Sequence, residues 1–260
     1  MDFSLPIIVS APPQISGDPL ARLVMRLSAF ERLGQEEISA LRSIVTVDVV
    51  EAHENLHKTA GPYVTVLLSG LACQYKMLSG NRRQILGLIV PGDVSHYGFL
   101  TGDAAPAQIT SLAISQVGRI SIADFTELCQ RYPRIMRAII RGMATAAAIS
   151  KERLVTLGQR TSVERMSHLM CEMNYRLDVV GLVGPGNTFE FHITQAELAD
   201  TLGLSTVHVN RTLQVLRRDG LIAMRQGKVS VDNLPGLIGA ARFDPYYLLP
   251  STMITPPTVG

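Results

Sequence analysis

Tryptophan is absent from this 260-residue sequence, and aromatic residues together make up 5%. Cysteine is scarce too: Cys73, Cys129 and Cys171 lie more than 40 residues apart. An odd count with no CxxC pair offers neither a disulfide framework nor a zinc knuckle, and it suits a reducing compartment. No apolar run approaches the roughly 18–20 residues that a membrane span needs. The opening Met1-Asp2-Phe3-Ser4 lacks the cationic start of a signal peptide. The expectation is a cytoplasmic protein with no membrane partner. GxSxG, a Walker loop and GxGxxG are missing, and the chain is not expected to be an enzyme.

Apolar residues make up 47% and charged residues 18%, enough for a packed core and against global disorder. The formal charge of +2 averages two unlike halves. Residues 1–130 hold nine Lys/Arg against twelve Asp/Glu, a net of −3; residues 131–260 hold fifteen against ten, a net of +5. Twenty of the 24 cations are Arg, the side chain best matched to phosphate and guanine edges.

Along the chain, residues 1–24, with Pro6, Pro12, Pro13, Gly17 and Pro19, read as a flexible tail. Helical spacing runs from Leu27 to Val45 with a break at Gly34. From Thr46 to Ile122 the pattern changes to short β-rich runs, among them 63–68, 71–76 and 84–90, punctuated by Ser69-Gly70, Ser79-Gly80-Asn81 and Pro91-Gly92-Asp93. Strands at that spacing with no helix between them predict an antiparallel sandwich or jelly roll over residues 25–130. Asp124–Cys129 reads as a short helix, and Pro133 suits the first position of a long one ended by Gly158.

In that long helix Ile140, Met143, Ala147, Ser150, Leu154 and Leu157 alternate steps of three and four, the seam of a two-stranded coiled coil. A helix lying on its own domain would show the same spacing. Small residues on the seam and flanking Arg134, Arg137, Arg141, Lys151 and Arg153 favour a partner helix. Residues 131–159 are therefore assigned to dimerisation, with a second copy as partner.

Residues 160–242 hold the most informative stretch. Thr194 and Glu197 form a capping box, Gly203 stops the first helix, and Ser205 caps a second. In the second helix Val209, Leu213 and Leu216 line one face, while Val207, Asn210, Arg211, Gln214 and Arg218 line the other. A short helix, a glycine turn and a second helix with a polar, basic face is a helix-turn-helix pattern. An ordinary helical hairpin would share the spacing. Five cations against one acid between Ser205 and Lys228, and a hairpin turning at Gln226-Gly227, argue for a winged DNA reader. The DNA-facing candidates are Thr194, Gln195, Ser205, Thr206, Val207, His208, Asn210, Arg211, Gln214, Arg218, Arg225 and Lys228. Residues 243–260 read as a C-terminal tail.

A β-roll, a long helix and a winged helix-turn-helix, in that order, resemble the CRP/FNR family of bacterial transcription regulators. The resemblance covers roughly residues 25–242 and is most specific over Ile193–Ile222 and the roll segment Leu68-Ser69-Gly70…Arg83-Gln84-Ile85…Leu88…Pro91-Gly92-Asp93. It implies an α+β fold and a homodimer reading a near-palindromic site in double-stranded DNA, with RNA polymerase a possible further partner. It places Arg211 on guanine O6/N7 and makes Ser205 and Gln195 phosphate contacts. Val207 departs from the glutamate of many members, and a valine cannot accept a hydrogen bond from cytosine.

The resemblance also locates an effector region. Tyr97 falls about where cyclic-nucleotide-binding members carry the ribose-binding glutamate, and Gln108 about where they carry the phosphate-binding arginine. Ser150 matches a hydroxyl that reaches the base. Control by cyclic AMP is therefore not expected. Residues 1–72 contain no Cys, which removes the N-terminal iron–sulfur cluster of the oxygen-sensing branch. No cofactor is expected. The alternative is the same DNA-binding dimer switched by a small molecule in the roll, or by haem held by one of His53, His57 and His96.

Overall fold

The structure, a computed structural model, describes residues 17–56, 63–95, 97, 100 and 108–248. Two short helices, α1 (Ala21–Phe30) and α2 (Gln35–Ser43), precede six strands. These are β1 (Thr46–Val50), β2 (Tyr63–Ser69), β3 (Ala72–Leu78), β4 (Arg82–Ile89), β5 (Gln108–Ser111) and β6 (Ser115–Ser121). They pair antiparallel in two three-stranded sheets, β1-β6-β2 and β4-β3-β5. Leu67 and Val117 from one sheet meet Ala72, Ile89 and Ile109 from the other in one buried cluster. From β5, Ile109 enters this cluster while its neighbour Gln108 is exposed. The three apolar runs picked out in the sequence are β2, β3 and β4.

A helical layer covers the β2/β6 face. The helix α3 (Ile122–Arg131) starts on a Ser121 cap, whose Oγ accepts from the Asp124 amide. Pro133 opens α4 (Pro133–Gln159), where its missing N–H costs nothing. Ile135, Ala138 and Ile139 of α4 pack with Leu23, Leu27 and Phe30 of α1, and with Val64, Val66 and Ile120 of the sheet.

The C-terminal part comprises α5 (Ser162–Asp178), β7 (Thr188–Glu190), α6 (Gln195–Leu202), α7 (Thr206–Arg218), β8 (Ala223–Arg225), β9 (Lys228–Ser230) and α8 (Leu234–Ala241). Its core is continuous with the other face of the roll. Cys73, Ile85 and Leu88 share a cluster with Met166, Met170 and Met173 of α5, Leu198 of α6 and Val209 of α7. Polar ties reinforce the contact. Arg83 Nε lies 2.8 Å from Asp200 Oδ2 on α6, and Gln84 Nε2 donates to the Asp200 carbonyl at 2.6 Å.

Three expectations need correction. The helix α1 starts at Ala21, inside the segment read as a tail to residue 24, because Leu23 and Leu27 are core residues. The long helix passes through Gly158 and ends at Gln159, since nothing there demands a left-handed residue. Residues 243–248 are packed rather than a tail: Tyr247 stacks on His168 with ring centroids 5.9 Å apart, and Leu248 is buried. The helix α8 carried no recognised signal, being almost wholly small and apolar. The remaining tail residues, 1–16 and 249–260, lie outside the described residues.

Candidate nucleic-acid interface

Each element of the helix-turn-helix is set by its local sequence. Thr194 Oγ1 accepts from the Glu197 amide at 3.2 Å, while Glu197 Oε2 accepts from the Thr194 amide at 2.8 Å. That reciprocal pair satisfies two otherwise unpaired N–H groups at the start of α6. Gly203 ends the helix at φ 62°, ψ 41°, a left-handed conformation that glycine adopts at least cost. Ser205 then caps α7, its Oγ accepting from the His208 amide at 3.3 Å.

Val209, Thr212 and Leu216 are buried beneath α7, with Leu213 half-buried beside them. Thr206, Val207, His208, Asn210, Arg211, Gln214 and Arg218 are exposed on the opposite side, with Ser205, Thr194 and Gln195 exposed at the two helix starts. Asn210 Nδ2 lies 3.5 Å from Gln195 Oε1, and Gln214 Nε2 donates to Asn210 Oδ1 at 2.9 Å. A polar row therefore runs from the start of α6 along α7. Arg211 stands beside it with no hydrogen bond or ion pair among the described residues. Arg218 is engaged by Asp219 at 2.9 Å.

The wing turns where the sequence placed it. Gln226 and Gly227 have φ 48° and 74°, the two positive values of a tight hairpin turn. A Cβ at Gly227 would lie 2.3 Å from His192 Nδ1, so only glycine lets the turn close against that ring. Arg225 and Lys228 are register partners at its tip, both exposed and without an ion pair among the described residues. All twelve candidates thus share an exposed surface made of two helix starts, one helix face and a hairpin tip. Donors and cations so arranged can accept bases in a groove and phosphates on either side.

The seam positions of α4 are equally open. Ile140, Met143, Ala147, Ser150 and Leu154 are exposed, Leu154 at 72%, and Leu157 is half-buried. The arginines read as flanking a partner helix serve the chain itself. Arg137 lies 3.3 Å from Glu31, Arg141 pairs with the same carboxylate, and Arg134 lies 3.8 Å from Glu37. Arg153 is buried. Spacing along one helix cannot tell a flank from a face turned inward.

The effector candidates divide. Tyr97 and Ser150 line a cavity of about 680 Å³ between the roll, α1, α4 and α5. Burial pushes the Tyr97 hydroxyl pKa up. Gln108 does not line it, because it takes the outward register position opposite Tyr75. Residues 96, 98–99 and 101–107 of that stretch, and His57, lie outside the described residues.

His53 is exposed, its Nδ1 3.7 Å from Glu197 Oε1. The run His53-Glu54-Asn55-Leu56-His57 has the spacing of a zinc-protease helix. That chemistry needs two His one helical turn apart. Here His53 has φ 63° and Asn55 bridges to Thr110, so residues 53–56 are not helical; His57 lies outside the described residues. Among the described residues no group of three His, Cys, Asp or Glu could hold a metal ion. The three cysteines are buried and unbridged, and burial raises Cys73 and Cys171 to about 12 and Cys129 to about 11. They are unreactive thiols at neutral pH.

A helix-turn-helix with a wing, carried beside a β-roll and a long helix, defines a DNA-binding protein. A family model of the Crp-like helix-turn-helix domain matches residues 164–239. The nitrogen fixation regulation protein FixK of Bradyrhizobium diazoefficiens is 27% identical over 165 residues, covering 64% of this chain and 68% of that protein. The transcriptional activator protein FnrL of Cereibacter sphaeroides is 27% identical over 203 residues, covering 76% and 80%. Among solved structures, FixK2 from Bradyrhizobium japonicum superposes with a TM-score of 0.64 at 22% identity, over 76% of this chain and 97% of that one. Residues 164–239 thus carry a Crp-like helix-turn-helix domain, and the chain is similar over most of its length to DNA-binding transcription regulators of the CRP/FNR type. Among the described residues no helix is long and apolar enough to cross a membrane.

Proposed function

We propose that the chain acts as a homodimer in the cytoplasm, joined along the exposed α4 seam, and reads a near-palindromic operator with one α7 per half-site. The observation that carries the reading is Arg211: an exposed guanidinium with no partner among the described residues, beside the Gln195–Asn210–Gln214 row. Its role is bidentate contact with guanine, and Val207 beside it offers an apolar contact to a thymine methyl. Thr194, Gln195 and Ser205 at the helix starts, Thr206, His208 and Arg218 around the row, and Arg225 and Lys228 on the wing hold the phosphates on either side. Two α7 helices about 34 Å apart would meet successive major grooves on one face of the duplex.

Ile140, Met143, Ala147, Ser150 and Leu154 support the dimer, since a mostly apolar stripe on a helix invites an apolar partner. Leu157 closes its end. Cyclic AMP is not the effector in this reading, because Tyr97 stands where a ribose-binding glutamate would be and Gln108 faces outward. RNA polymerase is a further partner if the regulator activates. The test is fluorescence anisotropy with a selected DNA site and a scrambled duplex, using wild type and Arg211→Ala. Loss confined to the selected site supports base reading; equal loss on both contradicts it.

A further inference from the structure

The helices α5, α6 and α7 begin on the same device, and α7 departs from it in chemistry. At α5 the Thr161 hydroxyl accepts from the Glu164 amide at 3.3 Å and donates to Glu164 Oε2 at 2.9 Å. At α6 Thr194 and Glu197 repeat the pair at 3.2 Å and 2.9 Å. In both, the third helical residue supplies a carboxylate that takes the hydroxyl proton. At α7 the cap is Ser205 and the third helical residue is His208. The Ser205 hydroxyl accepts from the His208 amide at 3.3 Å, and its oxygen lies 3.0 Å from His208 Nδ1. The imidazole stands where the other two helices place a carboxylate.

That exchange has two consequences. The first is one of charge. The first turn of α5 holds Glu164 and that of α6 holds Glu197, whereas the first turn of α7 holds no acid. Residue 208 is exposed one helical turn before Arg211, and a carboxylate there would repel the phosphates of a duplex lying on α7. The second consequence is directional. A neutral imidazole carries one N–H, and the bond made by one ring nitrogen decides which nitrogen keeps it. With the Ser205 hydroxyl donating to Nδ1, as Thr161 and Thr194 donate to their carboxylates, the proton stays on Nε2. Nε2 has no hydrogen-bond partner among the described residues. Thr212 Oγ1 donates to the His208 carbonyl at 2.8 Å and ties that turn to the next.

We propose that Ser205 is a positioning residue: it fixes His208 as the Nε2–H tautomer, and that N–H is the donor that holds a DNA phosphate oxygen. A ring anchored at Nδ1 gives its donor a set direction, which is what a contact that registers the protein on the duplex requires. Ser205 thus serves its phosphate through the imidazole. The inference rests on α7 meeting DNA, and adds to it the proton, the nitrogen that carries it and the hydroxyl that puts it there.

The experiment is long-range nitrogen–proton NMR on the full chain with isotope-labelled histidine, His208 being assigned by the signal lost in His208→Leu. It is paired with anisotropy on a selected site and a scrambled duplex. In the free chain near neutral pH, Nδ1 is expected to show the shift of an unprotonated, accepting nitrogen and Nε2 that of a protonated one. Ser205→Gly keeps most of the capping energy and is expected to average the two. His208→Leu is expected to weaken both duplexes alike, by about threefold to tenfold. His208→Gln, whose amide N–H falls near the place of Nε2–H, is expected to recover most of that loss. Ser205→Gly combined with His208→Leu is expected to bind about as tightly as His208→Leu alone.

A protonated Nδ1, or an averaged pair, in the unaltered chain overturns the proposal. So does an additive double variant, which would give Ser205 a contact of its own, or unchanged affinity in His208→Leu. A loss confined to the selected site would make His208 a base reader and overturns it too. If the chain bound neither duplex, the reading of α7 would fail and the phosphate role with it, whereas the tautomer, measured without DNA, stands or falls separately. Equal losses on both duplexes in Arg211→Ala would overturn base reading by Arg211 and leave each of these outcomes intact.

Discussion

The helices α4 and α7 both present an open face, and the two faces differ in chemistry. On α4 the exposed stripe is mostly apolar, and Arg134, Arg137 and Arg141 are turned to carboxylates of the same chain. On α7 and the wing the exposed stripe is polar, and Arg211, Arg225 and Lys228 have no counterion among the described residues. An arginine already paired has little left for a phosphate, whereas an unpaired one keeps its donors free. The count of arginines therefore says less than which of them are engaged. The +5 of the C-terminal half is a local feature: from Arg160 to Val231 the tally is eight cations against seven acids.

The largest effect should come from the apolar face. Leu154→Glu places a charge in the proposed seam, and uncoupling two half-sites should lower affinity for two-half-site DNA by about 10²-fold or more. Sedimentation of the variant as a monomer, with folding unchanged by circular dichroism, is the expected companion result. An unchanged dimer would remove α4 from the interface. Next comes the polar face: Arg211→Ala should cost about 1–3 kcal/mol on the selected site and little on scrambled DNA.

A third effect concerns the packing behind the DNA unit. His168 is buried against Phe243 and Tyr247, and burial lowers its pKa to about 4. Its neutral form is favoured in the folded chain, so its contribution to stability is complete above the unfolded value of about 6.5. That contribution falls as pH drops from there toward 4. Tm measured between pH 7 and pH 4 should decline over that window, and His168→Gln should flatten the decline. The smallest effect belongs to the wing. Arg225→Ala and Lys228→Ala should each weaken all DNA alike and reduce the slope of log affinity against log salt by about 1. A loss confined to one sequence would move these residues from phosphate to base contact.

What the sequence made legible was local. The Thr194–Glu197 capping box, the Gly203 stop and the Gln226-Gly227 turn each depend on residues a few positions apart, and each is in place. The strands of the roll were readable because alternation and turn residues recur at short range. Long-range packing was not. Nothing near Asp200 announces its pairing with Arg83, 117 residues away. The burial of Arg153 and the docking of Tyr247 likewise depend on α5, which no periodicity in α4 or the C-terminal segment records. Gln108 was misplaced for a related reason: position relative to a family pattern does not fix which side of a strand a residue takes.

The most direct test is selection of bound DNA from a random pool, using the purified chain without added ligand. An enriched inverted repeat, with half-site centres about one helical turn apart, is the predicted result. Enrichment of a single unrepeated element, or of no sequence at all, would contradict two copies reading DNA through α7.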